Sequence, residues 1–252
     1  MSQYYKPQRI RNLYNPESSE TFRLSRSKID LFLNCPRCFY LDRRLGIGRP
    51  PGYPFSLNSA VDALLKKEFD IHRANGTSHP LMKLYGIDAI PLAHDRIDEW
   101  RDSLRKGITY LAPATNLLIT GGVDDVWVNT QGELLIVDYK ATAKSGEVSL
   151  DADWQIGYKR QMEVYQWLFR QNGFKVSSTG YFVYCNGDTD KEALNGKLEF
   201  DIKIIPYTGD DSWVIPVIAD IQKCLNLDGV PEAGLECDFC AYNKAVNSKL
   251  NE

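Results

Sequence analysis

Three sets of residues in this 252-residue chain combine types and spacings that chemistry could use. The first is Asp138-Tyr139-Lys140, preceded by Gly121-Gly-Val-Asp124. Side chains alternate faces along a strand, so Asp138 and Lys140 project together, roughly 7 Å apart. Asp124 can join them if the two β-rich segments pair as a hairpin. Two carboxylates can hold a divalent cation of the Mg2+ or Mn2+ kind, which favours oxygen ligands. A neighbouring ammonium can hold a water and offset charge on a phosphoryl oxygen. Standing alone, Asp-x-Lys is equally an ion pair on an edge strand.

The second set is Gln161-Met-Glu-Val-Tyr165, in which Gln161 and Tyr165 are four apart on one helix face. The third is Cys35-Pro-Arg-Cys38 with Cys237-Asp-Phe-Cys240. Each C-x-x-C can span one edge of a tetrahedral site, so together they read as a four-sulfur metal centre. A redox C-x-x-C would follow a strand, and the segment before Cys35 reads as a helix. Cys185 and Cys224 sit in apolar runs and read as core.

Hydrophobic periodicity supplies the elements that must position these groups. Ser25 or Ser27 can cap a helix carrying Ile29, Leu31, Phe32 and Leu33, and residues 39–45 continue helically to Gly46. Residues 48–54 read as a loop. Val61, Leu64, Leu65 and Phe69 predict an amphipathic helix over 58–74; Ile97, Trp100, Leu104 and Ile108 predict another over 95–108. The period then changes. Residues 117–128 and 133–142 predict two strands joined by a turn over 129–132. A helix over 153–172 ends at Gly173, followed by strands at 179–185 and 198–205 and a helix at 215–226. His72, His79 and His94 lie in polar stretches and are expected to face solvent. The order of elements predicts an α/β fold with a mixed central sheet flanked by helices.

Composition narrows the class. Apolar residues make 43% and charged residues 25%, which excludes a wholly disordered chain. No apolar run reaches the roughly 18 residues that a membrane helix needs, and no signal-type stretch follows Met1, so a cytoplasmic protein is expected. Charge is unevenly divided. Residues 1–50 carry ten Lys and Arg against four acids, leaving a net +6, and the rest of the chain carries −9. A basic end on an acidic body suits a polyanion partner, or is simply a solvated face.

The ordered set Gly121-Gly-Val-Asp124, Asp138-Tyr-Lys140 and Gln161-x-x-x-Tyr165, with basic N-terminal helices and terminal cysteines, resembles the PD-(D/E)XK nuclease superfamily. It is most similar to the RecB-like branch that carries a cysteine-ligated cluster. The opening Leu24-Ser-Arg-Ser-Lys-Ile-Asp-Leu-Phe-Leu-Asn-Cys35-Pro-Arg-Cys38 also looks like the start of that branch. The resemblance spans about residues 24–242, and the combination is more specific than any of its motifs. It implies a restriction-endonuclease-like core over 24–246, a polar basic arm over 1–23 and a tail over 247–252. It implies metal ligation by Asp124, Asp138 and the carbonyl of Tyr139, catalysis by Asp124, Asp138 and Lys140, and nucleic-acid contact by Gln161 and Tyr165. Where the family often has a histidine on an early helix, this chain has Asp62, with Glu68 as a rival ligand. Cys35, Cys38, Cys237 and Cys240 match the cluster, for which 4Fe–4S is the family precedent. The family usually offers one N-terminal and three C-terminal cysteines, and this chain offers two and two, a pattern that also suits zinc. Either centre would close a loop of 198 residues between Cys38 and Cys237 and restrict the unfolded chain.

The expected activity is therefore an Mg2+- or Mn2+-dependent deoxyribonuclease, an exonuclease or end-processing enzyme preferring single strands. DNA is the expected partner, with a helicase or other repair, recombination or CRISPR proteins beside it, and no membrane. Lys144, Lys159, Arg160 and the cations of residues 1–50 are candidate phosphate contacts. Two other readings are a nucleic-acid-binding subunit with little cleavage of its own, and a structural protein with a four-cysteine centre whose Asp–Lys pair is incidental.

Overall fold

A computed structural model describes residues 8–52 and 56–251. Residues 1–7 of the expected arm, and Tyr53 and Pro54 of the expected loop, lie outside those residues. In chain order the elements are β1 (Phe22–Ser25), α1 (Arg26–Asn34), α2 (Pro36–Arg44), α3 (Ser56–Asn75), α4 (Pro80–Leu84), β2 (Ala89–Pro91), α5 (Ile97–Arg101), β3 (Ile108–Ala112), β4 (Leu117–Gly121), β5 (Asp125–Asn129) and β6 (Leu134–Thr142). A 3-10 turn (Asp153–Gln155) then leads into α6 (Ile156–Gln171), followed by β7 (Thr179–Gly187), β8 (Phe200–Thr208), α7 (Val214–Leu225) and α8 (Asp238–Leu250). The fold is mixed α/β, as its order of elements predicts. Two compact units share the chain: Met1–Tyr53, Leu111–Thr120 and Ser212–Glu252 form one, and Pro54–Tyr110 with Gly121–Asp211 form the other. No helix among the described residues is long and apolar enough to cross a membrane.

The second unit is built on a five-stranded mixed sheet ordered β2-β5-β6-β7-β8. β5 and β6 are antiparallel, with Asp125 opposite Val137; β6 and β7 are parallel, with Asp138 opposite Phe182; β7 and β8 are antiparallel. Central position explains the composition of β6. Leu134 to Tyr139 are buried without interruption, as a strand covered on both faces requires. Val137 and Tyr139 pack with Val61, Leu65 and Phe69 of α3 and with Trp127. The other face carries α6, close enough that a Cβ on Gly180 would meet the Met162 sulfur at 2.4 Å.

In the first unit β1 runs parallel to β4, with Phe22 opposite Leu117. Two helices, α1 and α2, replace the continuous one that the sequence suggests. The break falls at Cys35, which is extended (φ −163°, ψ 103°) because Pro36 excludes helical backbone at the residue before it and then opens α2 at its first turn. At the other end, α8 runs through residues expected to be a tail, as far as Leu250.

Two further expectations change for local reasons. The helix predicted over 95–108 is only the five residues of α5. Ile97 and Trp100 are buried, but Leu104 is 91% exposed. Asp102 accepts from the N–H groups of Leu104 and Arg105, offering the backbone a turn in place of a helix. The segment 117–128 is two strands of different sheets, not one. The chain changes sheets at Gly121 and Gly122, where a Cβ would strike the Tyr165 ring (2.6 Å) and Ser103 (2.4 Å) respectively.

Some of the basic N-terminal charge is consumed inside the first unit. Arg9 and Lys28 lie 3.0 and 2.8 Å from the Asp42 carboxylate, and Arg43 Nη2 lies 2.8 Å from it. Burial raises the Asp42 carboxyl, but the hydrogen bonds from Arg43 and Lys28 outweigh it and hold the group at about 2, below its usual 3.8. A depressed carboxyl stabilises the fold above the unfolded value and ceases to as pH falls through the folded one, a contribution of about 2 kcal/mol. The first unit is therefore expected to lose stability between pH 4 and 2, followed by circular dichroism, and Asp42→Asn is expected to remove most of that acid dependence.

Candidate active site and cysteine cluster

The expected site residues of the second unit gather around the second half of β6. Asp138 is fully buried and turned toward α6, where Gln161 Nε2 donates to its Oδ1 at 2.7 Å. Lys140, two residues on and on the same face, forms an ion pair with Asp138 Oδ2 and lies 3.5 Å from Gln161 Oε1. Gln161 thus holds both ends of the Asp-x-Lys pair. Its amide also donates to the Tyr165 hydroxyl at 3.2 Å, one helical turn away. The close approach of Tyr165 is what Gly121 permits.

Asp124 lies just before β5, one step beyond the Asp125–Val137 pair, which brings it alongside β6. Its Oδ2 accepts from the backbone N–H of Tyr139 at 3.0 Å. Its Oδ1 lies 3.3 Å from Lys66 Nζ, which also contacts Asp62 Oδ2 at 2.8 Å. Asp62 and Asp124 therefore share one ammonium. The pairing has electrostatic consequences. Asp62 is raised, first by burial and then by the Asp124 charge, despite Lys66. Burial would lower Lys66, but Asp124 and Asp62 outweigh it and raise it. Among the described residues, only the four cysteines bring three or more metal-ligating side chains within 4.8 Å of one another, so Asp62, Asp124 and Asp138 are neighbours without forming so tight a cluster. Between Asp62 and its rival, the geometry places Asp62 with Lys140 in one cavity wall, whereas Glu68 turns away to His79 at 2.9 Å. His79 is itself buried, not solvent-facing as its polar neighbours suggest, because it stacks on Phe69 and caps α4.

The side chain of Tyr139 leaves the site for the core. Its hydroxyl donates to Asp125 Oδ2 at 2.8 Å. Asp125, adjacent to Asp124 but on the opposite face, is fully buried and satisfied by the Arg73 and Arg101 guanidinium groups and the Trp127 indole N–H. Arg101 Nε also donates to the Asp124 carbonyl at 3.1 Å, so this network fixes the backbone that presents Asp124. No motif in the sequence marks these residues. The signal was present on α3, where Val61, Leu65 and Phe69 continue at the same spacing to Arg73, and an arginine on a buried stripe requires a buried acid. Lys144 is exposed and Lys159 and Arg160 are half-buried.

The four cysteines form a separate site inside the first unit. Cys35–Cys240, Cys38–Cys237 and Cys38–Cys240 sulfurs lie 3.7, 3.6 and 3.7 Å apart. Those are the edges of a tetrahedron with metal–sulfur bonds of about 2.3 Å. Each pair straddles the start of a helix, Cys35 before α2 and Cys237 before α8. Burial opposes ionisation of Cys35, but the N–H groups of Gly234 and Cys38 and the neighbouring thiols bring it down to about 6. Arg49 Nη2 lies 3.2 Å from the Cys237 sulfur. Cys185 and Cys224 are buried apart from this group, and burial pushes both up to about 11, which suits plain core residues.

Residues 23–245 match the model of the PD-(D/E)XK nuclease superfamily. No curated protein matches the chain. A solved structure described as "Crystal structure of SSO0001" is similar at 16% identity and a TM-score of 0.39, covering 91% of this chain and 87% of its own.

The Asp125 network carries a prediction. Arg73→Met leaves the buried Asp125 with one cation fewer and is expected to destabilise the protein by about 3 kcal/mol in a urea titration. A change within about 0.5 kcal/mol, the range of a neutral surface substitution, would show that Arg101 alone satisfies the carboxylate.

Proposed function

The chain belongs to the PD-(D/E)XK nuclease superfamily, and from that premise we propose that it is a metal-dependent deoxyribonuclease of the RecB-like branch. It hydrolyses phosphodiester bonds in single-stranded DNA as an exonuclease or end-processing enzyme. The observation that carries the reading is the Gln161 side chain bridging Asp138 and Lys140 on one face of the central strand β6. The pair is therefore not the edge-strand ion pair that Asp-x-Lys alone could equally have been.

The donor set fits a hard divalent cation. Asp62, Asp124, Asp138 and the Tyr139 carbonyl offer oxygen only, the preference of Mg2+ and Mn2+. Lys66 is a stand-in charge: Asp62 and Asp124 jointly accept one cation. When bound, the ion would polarise a phosphoryl oxygen and acidify a water. The chain's own groups do the rest. Lys140, steered by Asp138 and Gln161, orients the attacking water and offsets charge on the phosphoryl oxygen. Water adds its oxygen to phosphorus and gives up a proton to solvent as the bond to the leaving sugar oxygen breaks, and that oxygen takes up a proton from solvent. Tyr165 holds Gln161 in place.

For the cysteine site we take the zinc reading over the 4Fe–4S precedent, because the sulfur separations suit one tetrahedral ion and a cubane would have to spread them. Its role is to tie the two ends of the first unit together.

Two measurements test these proposals. With Mn2+ and end-labelled single-stranded DNA, Asp138→Ala and Lys140→Ala are each expected to lower cleavage by about 100-fold or more. Equal digestion by the parent and both variants would remove the assignment. Anaerobically purified protein is expected to be colourless, with one zinc per chain by elemental analysis. A broad visible band with bound iron would restore the iron–sulfur reading.

A further inference from the structure

We propose that the indole of Trp154, braced by Tyr158, is a stacking platform for an unpaired nucleobase beside Lys140, and this rests on the reading of the same site as a nuclease. The stripe on α6 that carries Gln161 and Tyr165 does not begin with them. Tyr158, Gln161 and Tyr165 recur at three and four along one face of α6, and Trp154 precedes them in the 3-10 turn that leads into the helix. Of the lower two, Tyr165 steadies Gln161 and Gln161 holds Asp138. The upper two are aromatic and lead away from it toward solvent.

The contacts form a continuous path. Lys140 Nζ lies 4.5 Å from the Tyr158 ring centroid. Tyr158 meets Trp154 edge to face, with centroids 5.5 Å apart and planes at 81°. Trp154 is 65% exposed, whereas Trp100, Trp127 and Trp167 are buried. An open cavity of about 650 Å3 adjoins both rings and is walled by Leu57, Asp62, Lys140 and Phe200. The lining thus joins one carboxylate, Asp62, and one ammonium, Lys140, to apolar and aromatic faces. A nucleotide carries both kinds of partner. With its phosphate at Lys140, its base reaches the adjoining aromatic faces.

The surface also chooses between strands. Stacking on an aromatic side chain needs a base with a free face, which a duplex interior does not offer, and it tolerates any sequence. A charged groove alone would attract single and double strands alike.

The test measures binding without catalysis. In EDTA, full-length Trp154→Ala is expected to bind a fluorescein-labelled dT12 about 5- to 50-fold more weakly than the parent, by fluorescence anisotropy. Trp154→Phe should recover most of that affinity, and binding to a duplex of about 12 base pairs should change less than about twofold. Unlabelled dT12 should quench part of the parent's tryptophan fluorescence and quench that of the alanine variant much less. Unchanged dT12 affinity in Trp154→Ala, or an equal loss on the duplex, overturns the proposal. The readout is separable from the nuclease assignment. A parent that cleaves nothing in Mn2+ but binds dT12 through Trp154 defeats the hydrolase and keeps the platform; a cleaving parent whose Trp154→Ala form binds and cleaves equally does the reverse.

Discussion

A carboxylate with no exposure at all, in a strand covered on both faces, is the constraint from which the second unit's architecture follows. Asp138 could not remain ionised there without compensation, since burying a lone charge costs far more than any one contact returns. The strand supplies Lys140 at the one spacing that shares its face, and α6 supplies Gln161. A glutamine suits this place because one side chain offers a donor to the carboxylate and an acceptor to the ammonium. Tyr165 steadies it, and Gly121 makes room for Tyr165. Sheet, helix and glycine together hold this buried carboxyl group beside its lysine.

Three acids in the molecule are compensated by different means, and the differences separate structure from function. Asp125 and Asp42 are held largely by arginines, whose planar forks bind carboxylates rigidly and stay charged. Those networks have no exposed ligand position left to offer. Asp124 is held by Lys66, a point charge on a flexible stem, and by one backbone N–H. A lysine can swing aside where an arginine fork is fixed. On the proposed reading, the carboxylates that share Lys66 would exchange it for another cation, and one of them, Asp62, lines the cavity that Lys140 also lines.

Much of this was legible in the sequence, and the failures have local causes. The hairpin pairing of Asp124 with Asp138, the helix bearing Gln161 and Tyr165, and the meeting of the two cysteine pairs follow from alternation and spacing. The 95–108 helix failed because periodicity counts Leu104 and Ile108 as apolar without seeing that Asp102 turns the backbone away. The single strand over 117–128 failed because its two adjacent glycines mark close approaches to Tyr165 and Ser103, which come from distant sequence. Asp125 was invisible beside Asp124: the two differ only in which face they take, and the arginines that make one structural come from α3 and α5. His79 misled because its neighbours in sequence are polar while its neighbours in space are Phe69 and Glu68.

The cysteine site poses the opposite electrostatic problem, and the first unit answers it. On the zinc reading, four thiolates around a divalent ion would carry a net double negative charge, which a largely buried site must offset. Both C-x-x-C pairs sit where a helix begins, the end at which unpaired N–H groups gather and stabilise a thiolate. The N–H groups of Cys38 and Gly234 aim at the Cys35 sulfur at 3.4 and 3.3 Å, and Arg49 at Cys237. The proline that forces Cys35 out of the helix is thus part of the site. By ending α1 and starting α2 at that residue, Pro36 places Cys35 at the helix start and Cys38 within its first turn, so both sulfurs can face the pair that opens α8.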